Sequence, residues 1–502
     1  MAKELYDGIY STHRLIFIEK VQSNIETFLK DKIERTYKVG LEVLCILEKE
    51  NLGPVFKELT ENPEFGVNIL NNLTKFDNRY GSYLLASVSS STNNFSLLLK
   101  VRLGEKGTGD QFEELVRVLE EFFESAKKYR TSKRQLSEIS DHSDLVIYNQ
   151  MLEGLDCYDI YLQADTDIIE DVFVSDEISR SITQDFYKDL DIINVISKMD
   201  TFDWKAGIFP ELCFCMNLEE LLQIKIPRRV QYIRVLLSEL FRIASHLSCL
   251  LNTAKLLEYD FAYDLLILER ERTLRLIEHL TGSRVFPNFI RVGGLKNDLK
   301  AEMEDKIKKG LPDIYRNILK AQTHFFGNSI ILKRLRDKGF LDFETALKNG
   351  VTGPNLRASG MRFDMRKNRN LLNYKDISFI IPTGKYGDCL DRVVIRFQEI
   401  LQSLKIINQV IKQIPDEHYK TIGKNPNFDF KYSSMVSSVE CPHGAFKLYL
   451  EIEDNDILTL VVMGPSRNTL FNLGNVLKGE SIEDMNLILS TLDISPGELL
   501  HW

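Results

Sequence analysis

Two short pairings of soft donor side chains, Cys213 with Cys215 and Cys441 with His443, are the first places in the chain where metal chemistry could sit. Structural zinc and iron–sulfur sites need convergent thiolates, usually announced by paired CxxC motifs. Neither pairing has that spacing, since a single residue separates the members of each. Both read as core residues, and no metal site is expected. The stretch GEKGTG (residues 104–109) follows a strand-like run but lacks the GxxxxGK[ST] or GxGxxG spacing that aims backbone amides at phosphate; it reads as a loop. There is no GxSxG elbow, no HExxH, and no pair of histidines at helical ligand spacing among the eight present. A free-standing hydrolase or metalloenzyme is thereby excluded.

What remains is dense charge set into apolar helical stripes, in PRRVQYIRVLLSELFRIASHL (residues 227–247) and LERERTLRLIEHLTGSR (residues 268–284). Glu239, Arg242 and His246 lie near one flank of the first, where Glu239 and Arg242 can pair at three-residue spacing. Two readings stay open on this pattern alone. One is a surface salt-bridge network. The other is a buried polar face that docks a partner or conducts protons, since buried charges occur mainly when paired and often at working sites.

The elements that must position these residues follow from periodicity. Residues 1–135 alternate helical and strand patterns, with a helix expected near 41–49, strands near 81–88 and 95–103, and a helix from Asp110 that carries Phe112, Leu115, Val116, Leu119, Phe122, Phe123 and Ala126 on one face. This reads as a small α/β domain. The polar run TSKRQLSEISDHSD (residues 131–144) suggests a linker, set at 136–150. After the strand-like CYDIYLQADTDIIEDVFV, long helical stripes dominate residues 151–502. One runs through Ile233, Leu236, Leu237, Leu240, Ile243, Ala244 and Leu247; another runs from Val393 to Ile414, where Pro415 stops it. Phe446, Leu448, Leu450 and Ile452 alternate before an Asp454–Asn455–Asp456 turn, so a β-hairpin is expected to cap the helical bundle. The fold class is α+β, a small α/β domain followed by a mainly helical one with peripheral hairpins.

Bulk properties narrow the partners. A chain of 502 residues, 44% hydrophobic, is long enough for two or three domains with ordinary cores. The net charge of −9 leaves no basic field for phosphate backbones, so no nucleic-acid partner is expected. The short basic patch MRKNRN (residues 365–370) reads as a solvated loop. Nothing approaches the roughly 18–20 apolar residues that span a bilayer, and the N-terminus lacks an apolar signal core. Seven scattered cysteines fit reduced thiols in a reducing compartment.

Four segments taken in order carry a resemblance: IPRRVQYIRVLLSELFRIASHL, ERERTLRLIEHLTGSRVFPNFIRVGGLKNDL, GVTGPNLRASGMRFDMRK and GDCLDRVVIRFQEILQSLKIINQ. They resemble successive signature segments of the D-type (49-kDa-like) subunit of respiratory complex I, whose fold is similar to the large subunit of nickel–iron hydrogenases. FKELTENPEFGVNILNNLTKFDN (residues 56–78) and the strands ending LLLKVRL resemble the C-type (30-kDa-like) subunit, so the chain looks like a C/D fusion. The resemblance implies a peripheral-arm subunit of an NADH:quinone oxidoreductase that binds no cofactor itself. NADH, FMN, iron–sulfur clusters and quinone belong to the implied complex. The implied partners are iron–sulfur and membrane-arm subunits, and the implied place is peripheral, on the cytoplasmic side of the bacterial inner membrane. Hydrogenase activity is excluded, because the nickel–iron site needs two CxxC pairs.

The family's quinone contacts are not matched. Its loop histidine has no counterpart in NQMLEGLD (residues 149–156), Val195 stands at the tyrosine position, Leu256 at an aspartate position and Phe286 at a histidine position. The terminal His501 and Trp502 replace an aspartate–arginine pair. Apolar groups offer no donor to a quinone carbonyl, so no intact catalytic residue is expected. The positions that do match form the expected charged, partner-docking helix face: Arg234, Glu239, Arg242, His246, Glu269, Arg270, Glu271, Arg357, Asp364, Arg366, Asp388, Asp391 and Arg392. The losses also admit a divergent, non-catalytic paralogue that serves as a structural or assembly subunit.

Overall fold

The computed structural model describes residues 12–39, 42–93, 95–104, 109–123, 125–126, 145–148, 160–174, 187, 190–368, 371–421 and 428–500. The polar stretch 131–144, most of GEKGTG, the segment NQMLEGLD and the terminal His501 and Trp502 lie outside these residues.

The chain opens with helix α1 (Thr12–Phe28), strands β1 (Arg35–Val39) and β2 (Glu42–Glu48), helix α2 (Leu52–Glu61), strands β3 (Ile69–Asn78), β4 (Gly81–Ser90) and β5 (Phe95–Gly104), and helix α3 (Gly109–Glu120). The strands form one sheet in the order β1-β2-β5-β4-β3. All neighbours are antiparallel except β2 and β5, which run parallel with Val43 opposite Leu97. The helix expected near 41–49 is therefore wrong: this stretch is β2. Its run EVLCILE is buried almost throughout, as befits a strand covered on both faces, and a continuous apolar run carries no period to separate strand from helix. The expected α3 stripe holds, with Phe112, Leu115, Val116 and Leu119 buried against Val55, Phe56 and Leu59 of α2 in one hydrophobic cluster. Phe123 and Ala126 join it from beyond the helix end.

A second sheet, β6 (Leu145–Tyr148), β7 (Ile160–Asp165) and β8 (Ile168–Val174), is antiparallel throughout. Residues 145–148, expected inside the linker, are thus a paired strand. Long helices follow: α4 (Ile208–Leu221), α5 (Arg228–Leu256), α6 (Asp260–Thr281), α7 (Ala301–Gly327) and α8 (Cys389–Gln413), which ends just before Pro415. Helix α5 is buried around nearly its whole circumference, so its single apolar stripe understates its position: a helix enclosed on all sides is central. Finally β9 (Tyr432–Cys441), β10 (Gly444–Glu453) and β11 (Asp456–Met463) make a three-stranded antiparallel sheet, ahead of helices α9 (Ile482–Leu492) and α10 (Gly497–Leu500). The turn at Asp454 and Asn455 is as expected, both residues holding positive φ. The hairpin is not peripheral, however. Its sheet has a third strand and is buried on both faces.

One of those faces meets the first sheet. Val436, Tyr449, Val461 and Met463 pack with Val39, Leu44, Phe76, Leu85 and Leu98 in a common cluster. Polar contacts lock the seam. Lys447 Nζ donates to Glu42 Oε1 at 2.7 Å and to Ser87 Oγ at 3.2 Å, Lys100 pairs with Glu451, and Arg467 Nη1 donates to the Leu73 carbonyl at 3.0 Å. Among the described residues no helix is long and apolar enough to cross a membrane. Lys447→Ala removes the ammonium from a buried carboxylate, a change that costs about 3 kcal/mol or more. Urea unfolding of the full chain should register that loss, and pairing the change with Glu42→Gln should recover part of it.

Candidate functional site

Helices α5 and α8 lie side by side, and the charges that the sequence embeds in their stripes meet between them. Glu239 of α5 is fully buried. Its carboxylate accepts from Arg366 Nη1 at 3.0 and 3.1 Å, Ser403 Oγ at 2.5 Å and Tyr374 Oη at 2.5 Å. Arg366 turns its other edge to Asp364, at 2.6 Å from Nη2 and 3.0 Å from Nε. Asp364 lies 3.7 Å from Arg357. Arg357 in turn donates to Glu399 of α8 and to Glu440 of β9, both at 2.7 Å. Glu399 reaches His246 of α5 at 2.9 Å. Arg242 completes the ring, donating to the carbonyls of Glu440 at 2.6 Å and Cys441 at 3.0 Å.

The electrostatics follow from this geometry. Burial alone would raise the Glu239 carboxyl, but Arg366, Arg242 and the hydroxyls of Ser403 and Tyr374 bring it below the ordinary carboxylate value. Burial acts likewise on Glu399, yet Arg357 and His246 hold it well below that value. Glu440 goes the other way, raised by burial and by Asp364 against the pull of Arg357. The His246 imidazole is pushed down to about 4 by burial, against the opposing pull of Glu399. Its contact with Glu399 is thus a hydrogen bond from a neutral ring protonated on Nε2, and not an ion pair. Nδ1, which has no hydrogen-bond partner among the described residues, is then the unprotonated nitrogen.

Two smaller clusters flank this ring. Arg234 pairs with Glu219 of α4 through both terminal nitrogens, at 2.8 and 2.5 Å. Close by, Glu211 is pushed up to about 8 by burial and then by Asp200, in spite of Arg291 at 3.3 Å, so it carries its proton at neutral pH. At the start of α8, Asp388 caps the helix by accepting from the Asp391 amide at 2.8 Å, and Arg392 donates to Thr491 Oγ1 at 3.0 Å and the Gly387 carbonyl at 2.8 Å.

Of the thirteen charged positions expected on a docking face, ten are buried inside this chain: Arg234, Glu239, Arg242, His246, Glu269, Arg357, Asp364, Arg366, Asp388 and Arg392. Glu239, Arg242, Arg357, Asp364 and Arg366 meet one another, while Arg234 pairs with Glu219 and Glu269 with Arg272 and Asn317; the solvated-loop reading of MRKNRN thus fails at Arg366. Arg270, Glu271 and Asp391 keep partial exposure. The ring's other members, Glu399, Glu440, Tyr374 and Ser403, were not anticipated. Glu399 had a signal, a carboxylate three residues from Arg396 on the apolar stripe of α8. Val195 is fully buried in the short helix Ile192–Ile196, a core side chain, while Phe286 is 43% exposed.

The model of a family described as the respiratory-chain NADH dehydrogenase, 49 Kd subunit, matches residues 262–431. The D-type subunit of the NADH-quinone oxidoreductase of Clostridium beijerinckii is 32% identical over 305 residues, which cover 60% of this chain and 81% of that protein. The corresponding subunit of Carboxydothermus hydrogenoformans is 34% identical over 308 residues, covering 61% and 84%; that of Chlorobium phaeovibrioides is 33% identical over 320 residues, covering 61% and 78%. The fold class is that of a mixed helix-and-sheet subunit of an oxidoreductase complex. The chain belongs to the family of D-type subunits of NADH-quinone oxidoreductase.

Protonation of His246 should favour unfolding, because its folded-state pKa lies below the ordinary 6.5. The stability tied to this ring is complete above about pH 6.5 and is lost as pH falls toward 4. The depressed Glu399 carboxyl adds a loss of the same sign at still lower pH. His246→Gln, which retains a donor toward Glu399, should flatten the slope of unfolding free energy between these limits. An unchanged slope would assign it to other groups.

Proposed function

We propose that the chain works as a peripheral-arm subunit of a membrane-associated NADH:quinone oxidoreductase. Electrons pass from NADH through FMN and iron–sulfur clusters on neighbouring subunits to quinone. This chain supplies a wall of the quinone cavity and a platform for the iron–sulfur partner, and holds no redox group itself. The observation that carries the reading is the extent of the match, which takes in about four fifths of relatives that are each a D-type subunit of that enzyme. The alternative of a non-catalytic assembly paralogue draws no favour from these relatives.

The fused organisation is part of the proposal: residues 1–135 as a C-type unit and 151–502 as a D-type unit, joined by 136–150, whose stretch Leu145–Tyr148 belongs to the second sheet. Two features support it. The relatives account for about three fifths of the chain, and residues 18–126 gather a hydrophobic core of their own. Membrane attachment through partners, on the cytoplasmic face of a bacterial inner membrane, is consistent with the lack of a spanning helix among the described residues.

Docking falls to residues that stay accessible. Helix α6 presents Phe261, Ile267 and Leu268, which are 44, 39 and 55% exposed, near the partly exposed Arg270 and Glu271. Large apolar side chains beside charge are what a partner contact requires. The buried ring would act on docking indirectly, by fixing the helices that carry this surface. Val195 offers no hydrogen bond to quinone, so the donors to the head group come from elsewhere in the complex.

The tagged chain, recovered from detergent-solubilised native membranes, should bring down iron–sulfur and membrane-arm subunits by mass spectrometry, with NADH:quinone reductase activity in the same fraction. Leu268→Glu should cut that recovery several-fold while leaving the fold of the chain intact by circular dichroism. Recovery of the chain alone from native membranes would overturn the proposal.

A further inference from the structure

The hairpin between β9 and β10 turns over only two residues, Pro442 and His443, with Cys441 opposite Gly444. Glycine at position 353, at a φ of +69°, lets the neighbouring backbone press against the tip: a Cβ there would collide with the His443 carbonyl. The tip is therefore held rigidly, and it carries Cys441 and His443 into the interior, where both are buried. Three carboxylates from distant parts of the chain converge on them. Glu498 Oε1 lies 2.8 Å from His443 Nδ1 and 3.4 Å from Cys441 Sγ. Asp203 Oδ2 lies 3.9 Å from the same Nδ1, and Asp493 Oδ2 lies 3.6 Å from Nε2 on the other side of the ring.

We propose that Cys441, His443 and Glu498 form a buried structural zinc site that ties the tip of the β9–β10 hairpin to the C-terminal helix α10.

The distribution of hydrogen bonds carries the argument. Glu498 and Asp203 each have one oxygen occupied by a fixed donor and the other turned toward His443 Nδ1. Glu498 Oε2 accepts from the Ser466 amide at 2.9 Å, which leaves Oε1 facing sulfur and imidazole. Asp203 Oδ1 accepts from Ser495 Oγ at 2.7 Å and the Lys205 amide at 3.1 Å, which leaves Oδ2 facing Nδ1. Asp493 Oδ1 takes the Lys205 ammonium at 3.1 Å, and its Oδ2, 3.7 Å from Arg396 Nε, has no hydrogen-bond partner among the described residues. A metal-bound histidine has its remaining N–H held by a second group, and Ser245 Oγ at 3.4 Å and Asp493 Oδ2 at 3.6 Å flank Nε2.

Spacing agrees. Donors at 2.0–2.3 Å from a tetrahedral ion are roughly 3.3–3.8 Å apart; the 3.4 Å contact lies in that range and the 2.8 Å contact would open slightly on binding. One sulfur, one nitrogen and one oxygen suit a borderline ion such as zinc, and the burial of all three donors assigns it a structural role. The Cys441–His443 pair looked like core packing in the sequence because Glu498 lies 55 positions away.

The full-length chain, purified in reducing buffer, should take one equivalent of zinc from a chromophoric chelator. With cobalt in place of zinc it should show a thiolate-to-metal charge-transfer band. Cys441→Ala should abolish the band, and His443→Ala should abolish stoichiometric uptake. Asp493→Asn should still saturate at one equivalent but with affinity lower by about 10–100-fold, the usual effect of removing a carboxylate that orients a ligand histidine. Failure of the wild-type chain to take zinc from the chelator would overturn the proposal. Uptake unchanged in both Cys441→Ala and His443→Ala would do the same, leaving His443 as a protonated bridge between carboxylates.

Discussion

An ion pair taken out of water returns its desolvation cost only if every charge in it is met. At the centre of this molecule seven charge-bearing side chains share one dry space: Glu239, Arg242, Arg357, Asp364, Arg366, Glu399 and Glu440. Removing any one leaves another uncompensated, at a cost of roughly 3–5 kcal/mol. The ring therefore acts as a registration device. It sets α5 against α8 through the His246–Glu399 contact, holds the segment 353–374 through Arg357, Arg366 and Tyr374, and fixes β9 through Glu440. Apolar packing alone would allow these elements to slide by small amounts. Hydrogen bonds between planar guanidinium and carboxylate groups do not.

This gives the charged positions of α5 and α8 a structural role. They are internal joints. A surface that must receive another subunit in one orientation depends on helices that do not shift, and that requirement acts on residues well behind the contact. The ionic ring gives rigidity to the helices that carry the contact proposed on the accessible strip of α6. Glu211, near the Arg234–Glu219 pair, is a further buried carboxyl, pushed up by burial and by Asp200.

Much of this was legible in the sequence. The stripes of α5 and α8, the stop at Pro415 and the turn at Asp454 and Asn455 all follow from periodicity and turn chemistry, because each is decided by neighbours a few residues apart. β2 was misread for the opposite reason: burial on both faces erases the alternation that marks a strand. The charges of α5 were visible, but their burial was not. Whether Glu239 faces water or Arg366 depends on a contact 127 positions away, and no local pattern encodes it. Distance likewise hid the convergence of Cys441 and His443 with Glu498, and β9, the third strand beside the expected β10–β11 hairpin, went unread.

The seam between the two sheets has a consequence for synthesis. Glu42 finds Lys447 across 405 positions, so the first sheet leaves the ribosome long before the surface that covers it exists. At about 5–20 residues per second, Val39, Leu44, Phe76, Leu85 and Leu98 stay uncovered for between about 20 and 80 s. An apolar sheet face exposed for that long is a substrate for chaperones and a site of aggregation when they are scarce.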